Sequence, residues 1–363
     1  MRVIHYYPSA LDGSGVTVAL WAWAQATAAA GVDVLVATGP PGGERSWFDD
    51  DTDTVEIAPV VHRGRRRLTR YPRQLERLLK AGDILVLHEG WVVANFVAAR
   101  AARSRSIPFV VMPHGVYELP WRSYLRGPVW LRERAEGALI ERAAAVHLFF
   151  ESEAGDVRGL APQVRTLIAP TGFDVPAERW SRGGRYLAWV GRYDPYHKGL
   201  DLLVEAVGRL PEARRPQIRL RGYDYRGGQA RLLARIDEEG VGPWVEVGPA
   251  IEGRAKVEFL LGAGGYVLPS RWESYGIALV EALSLGVPTL ASARIRMAPS
   301  LADAGAALLA EPEPGALADG LQRLMEAPPA LGPHARSFVA ERLAWETVVP
   351  RYLDDLGRVT RES

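Results

Sequence analysis

Short apolar runs alternate with longer helix-like runs along the first half of the chain. The apolar runs are often β-branched, as in strands that are buried on both faces of a parallel sheet. The predicted strands are Arg2 to Tyr7, Asp33 to Thr38, Ile84 to His88, Phe109 to Met112 and Ala145 to Phe149. The predicted helices are Thr17 to Ala30, Gln74 to Ala81, Val92 to Ser104 and Arg132 to Ala144. This alternation predicts a doubly wound α/β domain.

A second alternation follows the segment Pro170 to Pro176, which holds two prolines and a glycine and is typical of a linker. Its predicted strands are Tyr186 to Val190, Gln217 to Arg221, Val245 to Val247, Gly265 to Leu268 and Thr289 to Ser292. Its predicted helices are Leu200 to Arg209, Gln229 to Glu239, Arg254 to Leu261 and Ile277 to Leu285. We therefore expect two Rossmann-like domains, with a cleft where the carboxyl ends of both sheets face one another.

The predicted domains span residues 1–170 and 171–340, followed by a C-terminal helical segment, 341–363. The amphipathic stretch Ala335 to Leu356 predicts one continuous helix that passes back onto the first domain. The polar runs Pro40 to Asp53 and His62 to Arg73 are interpreted as loops.

Composition narrows the function classes. The 44 basic and 43 acidic residues leave a net charge of +1, which argues against nucleic acid as the partner. Cysteine is absent, so disulfides and cysteine-type zinc sites are excluded. The apolar stretch Val16 to Ala30 is shorter than the roughly 20 residues that span a bilayer. The chain opens on a predicted strand rather than a signal sequence, so a cytoplasmic location is expected.

The stretch Pro269 to Ser292 holds two carboxylates, Glu273 and Glu281, separated by seven residues. Gly276 lies between them at the predicted start of a helix, where the backbone can come close to a ligand. A helix start offers unpaired N–H groups and a positive dipole to an anion. The stretch therefore predicts a site for a sugar phosphate with an acid at each end.

Two cations follow the first predicted strand of the second half. Arg192 and Lys198 flank a loop between this strand and a helix, and a guanidinium fork together with a compact ammonium suits a diphosphate. Solvated loop charges are the alternative interpretation. Lysine is rare in the chain, with only Lys80, Lys198 and Lys256, and this scarcity favours a function for Lys198.

A glycine-rich turn with Gly13, Ser14 and Gly15 joins the first predicted strand to the first predicted helix. Such a passage can cradle phosphate, and a merely tight turn is the alternative. The third glycine of the dinucleotide fingerprint is missing, and the second predicted strand ends without an acid, so a nicotinamide cofactor is disfavoured.

His114 comes just after a predicted strand, at the edge where α/β sites lie. It could bond a sugar hydroxyl or take part in proton transfer. A loop histidine that is satisfied by the backbone is the alternative. His88, at the end of another strand, is interpreted as structural.

The acidic run Asp49, Asp50, Asp51 and Asp53 contains the D-x-D spacing that can hold a divalent ion. No predicted strand leads into it, so an acidic turn is favoured. No His and carboxylate spacing indicates zinc. We therefore predict chemistry that needs no metal.

Two basic segments with aromatic residues, Arg63 to Arg73 and Trp121 to Arg134, lie in the first half. Such segments can bind anionic lipid headgroups or an anionic acceptor. Solvated loop and helix faces are the favoured interpretation.

Together these motifs resemble the retaining glycosyltransferases of family GT4, which have a GT-B fold, over essentially the whole chain. The most specific element is E-x7-E, from Glu273 to Glu281. The remaining matches are WVGRYDPYHKGLDLLVEAV, IAPTGFD and PHG. The chain departs from the family pattern at Thr171, at Gly13 to Gly15 and at Arg294 to Met297, where a glycine-rich turn is usual.

The resemblance implies a donor domain in the second half and an acceptor domain in the first. Arg192 and Lys198 would hold the donor diphosphate, Glu281 the ribose and Glu273 the hydroxyls of the transferred sugar. Backbone N–H groups would assist near Tyr275, Gly276 and Ile277.

In the first half, the resemblance places His114 near the reacting carbon of the donor sugar. It places Gly13, Ser14 and Gly15 close to phosphate and acceptor.

The sequence thus predicts transfer of a sugar from a UDP- or GDP-linked donor to a hydroxyl acceptor, with retention and without metal or cofactor. The acceptor could be a glycan, a lipid-linked molecule or a small metabolite, with peripheral membrane contact as an option. The alternatives are a sugar-nucleotide epimerase or hydrolase and a non-catalytic nucleotide-sugar or glycan-binding module.

Overall fold

The computed structural model describes residues 1–10, 15–39, 55–64, 71–181, 184–326 and 330–362. Their contacts divide the chain into two units. The first unit is Met1–Gly172 together with Trp345–Ser363, and the second is Phe173–Ala344. Within the described ranges no helix is long and apolar enough to cross a membrane.

The first unit is built on a seven-stranded parallel sheet. Its strand order is β3-β2-β1-β6-β7-β8-β9, and the short pair β4-β5 forms a separate antiparallel ribbon. The strands are β1 (Arg2–Tyr7), β2 (Asp33–Thr38), β3 (Glu56–Pro59), β4 (His62–Arg63), β5 (Tyr71–Pro72), β6 (Asp83–His88), β7 (Phe109–Met112), β8 (Ala145–Leu148) and β9 (Thr166–Ile168). Because β1 pairs with both β2 and β6, the order reverses there, which is where ligands bind in open α/β sheets.

Helices cover the faces of this sheet. They are α1 (Gly15–Ala29), α2 (Val93–Arg103), α3 (Leu119–Arg122), α4 (Val129–Ile140), α5 (Ala154–Arg158) and a C-terminal helix (Trp345–Arg361). The Trp23 ring of α1 lies 5.1 Å from Trp345 and 4.4 Å from Tyr352 of the C-terminal helix. These aromatic contacts attach the C-terminal helix to the first unit.

The second unit is built on a six-stranded parallel sheet with the order β12-β11-β10-β13-β14-β15. The strands are β10 (Tyr186–Tyr193), β11 (Gln217–Asp224), β12 (Val245–Gly248), β13 (Gly265–Leu268), β14 (Thr289–Ser292) and β15 (Leu308–Ala310). The helices are α6 (Leu200–Arg209), α7 (Gly228–Glu238), α8 (Gly253–Leu261), α9 (Ile277–Leu285), α10 (Ala298–Asp303), α11 (Pro314–Met325) and α12 (Leu331–Phe338). Since β10 pairs with both β11 and β13, this sheet also reverses its order next to its first strand.

Three predicted helices are wrong in extent, and one of them, Arg132 to Ala144, is observed at Val129–Ile140. The stretch Gln74 to Ala81 holds only a 3-10 turn, Leu75–Arg77. The stretch Ala335 to Leu356 is interrupted, because a π-helical turn at Val339–Leu343 is followed by extended backbone at Ala344. Ala344 forms a parallel bridge with Phe173 at the point where the chain leaves the second unit. The amphipathic pattern continues across this break, so the pattern does not reveal that the helix is interrupted.

Short edge strands were missed for a common reason. The strands β3, β9 and β15 each lie at the edge of a sheet and have only three or four residues. Runs this short, EIAP, TLI and LLA, are too brief for alternation or an apolar stretch to distinguish a strand from a loop. The run His62 to Arg73 was predicted as a loop but contains the ribbon β4-β5. The run Pro40 to Asp53 lies outside the described residues.

Candidate functional site

The loop after β10 holds the guanidinium of Arg192 in a fixed position. Its Nη2 lies 2.9 Å from Nδ1 of His197 and 3.9 Å from a carboxylate oxygen of Asp194. Its Cζ lies 4.6 Å from the centre of the Tyr225 ring. Its Nε is buried and has no hydrogen-bond partner among the described residues. The guanidinium thus lies at the carboxyl end of a central strand, the edge at which α/β sheets bind their ligands.

His197 connects this loop to the segment that carries Glu273. Its Nε2–H donates to the carbonyl oxygen of Trp272 at 3.0 Å, and its ring stacks on the Trp272 ring at 4.4 Å. Its Nδ1 therefore accepts from Arg192. Burial, aided by Lys198 and Arg192, lowers the pKa of His197 to about 4, so the ring is neutral at pH 7. Sequence reasoning missed His197, although it directly precedes the lysine that was singled out.

Lys198 and Glu273 form a partly buried ion pair. The distance from Nζ to Oε2 is 2.5 Å, and the side chains are 16% and 14% exposed. Burial alone would raise the pKa of Glu273, but Lys198, His197 and Arg192 together lower it below its ordinary value. Glu273 is therefore a carboxylate that only accepts hydrogen bonds. Three of the predicted site residues, Arg192, Lys198 and Glu273, are thus brought together, and His197 connects them.

Glycine is required directly after Lys198. Gly199 has a φ of +64°, and a Cβ added to it would lie 2.0 Å from the carbonyl oxygen of Pro269. This close approach brings the start of α6 against the segment after β13. This packing explains the glycine of the K-G pair.

The helix α9 begins after Gly276, which has a φ of +81°. Ile277 is its first residue, and the N–H groups of Leu279 and Val280 donate to the Gly276 carbonyl at 2.9 and 3.1 Å. The N–H groups before them, at Ile277 and Ala278, have no acceptor in a preceding helical turn. Tyr275 precedes the glycine, and burial raises the pKa of its hydroxyl. The predicted helix start and its bounds are confirmed.

Glu281 lies on α9 and is paired with Lys256 of α8. The distance from Nζ to Oε1 is 2.5 Å, and both side chains are mostly buried. Glu281 and Glu273 both act electrostatically on the hydroxyl of Tyr266, whose pKa is raised by burial first and by these two charges next. Sequence reasoning missed Lys256. The scarcity of lysine was a signal that could have found it.

The segment Arg294 to Met297 is attached to the same site. The backbone N–H of Arg296 donates to the carbonyl oxygen of Glu273 at 3.1 Å. Ile295 and Met297 are buried, whereas Arg294 is exposed and pairs with Glu311 at 2.6 Å. In place of a glycine-rich turn, the chain therefore has apolar anchors with an arginine between them.

In the first unit, His114 follows β7 and ends a row of three imidazoles. Its Nε2 lies 2.8 Å from Nδ1 of His88, and Nε2 of His88 lies 2.8 Å from Nδ1 of His5. Burial lowers the pKa of His114 and of His5 to about 3, and that of His88 well below its ordinary value. Among the described residues, the His114 ring bonds the His88 side chain and no backbone group. All three rings are neutral at pH 7.

The glycine-rich turn is described only at its end. Gly13 and Ser14 lie outside the described residues, and Gly15 is the first residue of α1. The acidic run from Asp49 to Asp53 also lies outside them. Among the residues that are described, no group of three or more His, Cys, Asp or Glu side chains could hold a metal ion.

Comparison with known proteins assigns both halves of the chain. The family model "Glycosyl transferases group 1" matches residues 173–340, and "Glycosyl transferase 4-like domain" matches residues 14–172. The chain belongs to the GT4-type, group 1 glycosyltransferases. The predicted family is confirmed.

Three similar proteins illustrate the relationship. A D-inositol 3-phosphate glycosyltransferase of Mycolicibacterium smegmatis is 28% identical over 178 residues, 48% of this chain and 40% of that protein. A GDP-mannose:cellobiosyl-diphosphopolyprenol alpha-mannosyltransferase of Xanthomonas oryzae is 26% identical over 98% of this chain and 96% of that protein. The structure of Anabaena Alr3699/HepE in complex with UDP has a TM-score of 0.78 at 17% identity and covers 99% of this chain and 100% of that one. The GT-B fold predicted for the glycosyltransferase is confirmed.

The glycosyltransferase also has strained backbone beside the imidazole row. Glu89, Trp91 and His114 all have positive φ, between +56° and +65°. The Tyr7 hydroxyl donates to Glu89 at 2.8 Å, and Asn95 donates to the Glu89 carbonyl at 2.6 Å. Non-glycine residues in this conformation are uncommon and cluster at functional sites. No sequence pattern marks them.

A buried carboxyl group supports this strained loop. One oxygen of Glu136 accepts from the Tyr117 hydroxyl at 2.6 Å and from the Trp91 N–H at 3.1 Å. Burial raises the pKa of Glu136 to about 7, even though both hydrogen bonds lower it. The group is therefore partly protonated at neutral pH.

Proposed function

We propose that the glycosyltransferase moves a sugar from a nucleoside diphosphate sugar to a hydroxyl acceptor, with retention of anomeric configuration and without a metal ion. The observation that supports this best is the convergence of Arg192, Lys198 and Glu273 at the carboxyl end of β10. Two fixed cations and an ionised carboxylate suit a diphosphate joined to a polyhydroxylated group.

The cations act on the leaving group. In the proposed step, the bond from the anomeric carbon to the diphosphate oxygen breaks, and the bond to the acceptor oxygen forms on the same face. The acceptor proton passes to an oxygen of the leaving phosphate. Negative charge grows on the diphosphate as the first bond breaks, so Arg192 and Lys198 stabilise the transition state more than the bound donor.

Glu273 and Glu281 would read hydroxyl groups of the donor. Ionised carboxylates only accept hydrogen bonds, and sugar and ribose hydroxyls are donors. We assign Glu273 to the transferred sugar and Glu281 to the ribose, with N–H groups at Tyr275, Gly276 and Ile277 directed to phosphate. Lys256 would orient Glu281 through their ion pair.

The names of two similar proteins bear on the donor base. The name of the Xanthomonas relative specifies GDP-mannose, and the Anabaena structure holds UDP. These names support a nucleoside diphosphate and favour neither base. His114 is proposed to contact the donor sugar, and Gly13, Ser14 and Gly15 are proposed to lie near phosphate and acceptor.

A peripheral membrane contact is part of the proposal. Residues 119–134, here called the aromatic-basic segment, expose Leu119 by 67%, Tyr124 by 59%, Trp130 by 68% and Leu131 by 49%. The same segment carries Arg126, Arg132 and Arg134. Exposed aromatic and apolar groups beside arginines suit the surface of an anionic membrane. We propose a cytoplasmic enzyme whose acceptor lies at such a surface.

A ligand screen followed by product analysis tests the function. Thermal stability is measured against UDP, GDP and their common sugars, because a ligand that binds only the folded state raises its stability. The stabilising donor is then incubated with an acceptor panel, and the product anomer is assigned by NMR. A product of inverted configuration contradicts retention, and loss of activity in EDTA that is restored by magnesium or manganese contradicts metal independence.

The rival functions give different products. Free sugar or an epimerised nucleotide as the main product identifies a hydrolase or epimerase. A donor that binds but stays intact with every acceptor identifies a binding module.

A further inference from the structure

The row of histidines in the first unit has two chemically different ends. His5 and His88 are fully buried, and within the part of the chain that the structure describes Nε2 of His5 has no hydrogen-bond partner. At the other end, His114 is only partly buried. Within the described residues, Nδ1 of His114 forms no hydrogen bond. It is also not one of the side-chain nitrogens that are shielded from solvent without a partner, so it is accessible. The row therefore runs from the core to an accessible ring nitrogen.

Hydrogen-bond chemistry allows two proton arrangements in this row. Each neutral imidazole carries one N–H, and each of the two contacts needs one donor and one acceptor. Both nitrogens of His88 are in contacts, so the position of its single proton fixes both neighbours. If His88 is protonated at Nδ1, it donates to His114, and His114 carries its proton on Nδ1. If His88 is protonated at Nε2, it donates to His5, and His114 carries its proton on Nε2.

The surroundings of His5, at the buried end of the row, decide between these two proton arrangements. Protonation of His88 at Nε2 would leave the Nε2–H of His5 buried with no acceptor, and orphaned buried N–H groups are rare. Protonation of His88 at Nδ1 leaves only a ring lone pair of His5 unpaired. The same core already contains one buried ring nitrogen with an unpaired lone pair, at His147. Nε2–H of that ring donates to the Ala169 carbonyl at 2.8 Å, so its buried, unpaired Nδ1 is unprotonated.

We propose that His5 and His88 are positioning residues that fix His114 as the Nδ1–H tautomer. His114 then presents a hydrogen-bond donor at its accessible nitrogen and is not a general base there. Its partner is an oxygen acceptor, such as a hydroxyl, ring or phosphate oxygen of a sugar nucleotide. The identity of this partner rests on the proposed function, whereas the tautomer does not.

The tautomer is measured directly. Long-range ¹H–¹⁵N NMR of protein labelled with ¹⁵N-histidine distinguishes protonated from unprotonated ring nitrogens, and His114→Asn assigns the His114 signals. For His114 at pH 7 we expect a protonated Nδ1 and an unprotonated Nε2. A wild-type His114 with its proton on Nε2 overturns the proposal, whether or not the protein transfers sugar.

Variants of His88 connect the tautomer to the reaction. His88→Leu removes the donor to His114, so the Nε2–H tautomer should become populated and kcat/KM should fall about tenfold, equivalent to about 1.4 kcal/mol. His88→Asn keeps a side-chain N–H donor and should restore both readouts. The exposed His334→Gln is the matched control. Equal loss of activity in both His88 variants with an unchanged tautomer would assign His88 a purely structural role and reject the proposal.

Discussion

Nζ of Lys256 lies 2.5 Å from Oε1 of Glu281, and the pair joins α8 to α9. The other carboxylate of the E-x7-E element has the same arrangement, because Glu273 is paired with Lys198 at 2.5 Å. Two of the three lysines in the chain are therefore used to hold these two carboxylates. A carboxylate held by a lysine keeps its charge and orientation before a ligand arrives.

Replacing Lys256 by Met should weaken binding of the nucleoside diphosphate about fivefold. Met keeps most of the apolar stem but leaves Glu281 without its cation, so the carboxylate loses its fixed orientation. A net loss of about 1 kcal/mol is typical for one such contact. Isothermal titration calorimetry with UDP and GDP measures the change.

The matched control for Lys256 lies on the same helix. Arg254 is paired with Glu258, but the two side chains are 89% and 62% exposed. Arg254→Met should leave the affinity unchanged, because exposed ion pairs contribute little. Equal affinities for Lys256→Met and wild type would show that Lys256 does not position Glu281 for the nucleotide.

Replacing Lys198 by Ala should lower kcat/KM for sugar transfer at least about tenfold, equivalent to about 1.4 kcal/mol. The ammonium is lost from the place where the leaving diphosphate gains charge, and Glu273 is left without its ion-pair partner. Steady-state kinetics with the identified donor measures the effect. Lys80→Ala removes an exposed lysine from the first unit and should have no effect. A folded Lys198→Ala enzyme with wild-type kinetics would contradict the role.

The double substitution Trp130→Ser and Leu131→Ser should reduce vesicle binding at least about fivefold. Even partial insertion of these two side chains stabilises the bound state by about 1 kcal/mol. Co-sedimentation with phosphatidylcholine vesicles, with and without phosphatidylglycerol, measures it. Tyr223→Ser, which alters a 58% exposed ring on β11, is the control. Wild-type protein that fails to bind either vesicle would contradict the membrane contact.

Local signals predicted two helices of the second unit well. Ile277–Leu285 and Leu200–Arg209 have the bounds that the sequence indicated, because glycines at positive φ stand before both of them. The predicted helix over Ala335 to Leu356 failed because its interruption at Ala344 depends on a bridge to distant Phe173. The periodicity of a short stretch shows which face of a helix is apolar, but it does not depend on contacts with residues far away in the sequence.

The contacts within the site could not be read from the sequence. Lys198 and Glu273 are 75 positions apart and meet because β10 and β13 are parallel neighbours, which brings their carboxyl ends together. His5 and His88 similarly meet across the neighbouring strands β1 and β6. The strand order decides these pairs, and no single-sequence pattern specifies it. The role of each site residue stays a prediction until the variants are measured.

Replacing Glu136 by Gln should make the folded protein more stable at pH 8 while changing it little at pH 5. Burial raises the pKa of Glu136 from an ordinary value of 4.5 to about 7. Between these values the folded state binds a proton that the unfolded state has lost, so wild-type stability falls as pH rises. The full loss is on the order of 3 kcal/mol. Gln carries no charge at any pH and keeps an oxygen that accepts from Tyr117 and Trp91.

Melting temperatures of both proteins from pH 5 to pH 8 measure the difference. Glu141→Gln, at an exposed position just after α4, is the control and should track the wild type. A Glu136→Gln protein whose melting temperature parallels the wild type across this range would show that Glu136 does not gain its proton on folding.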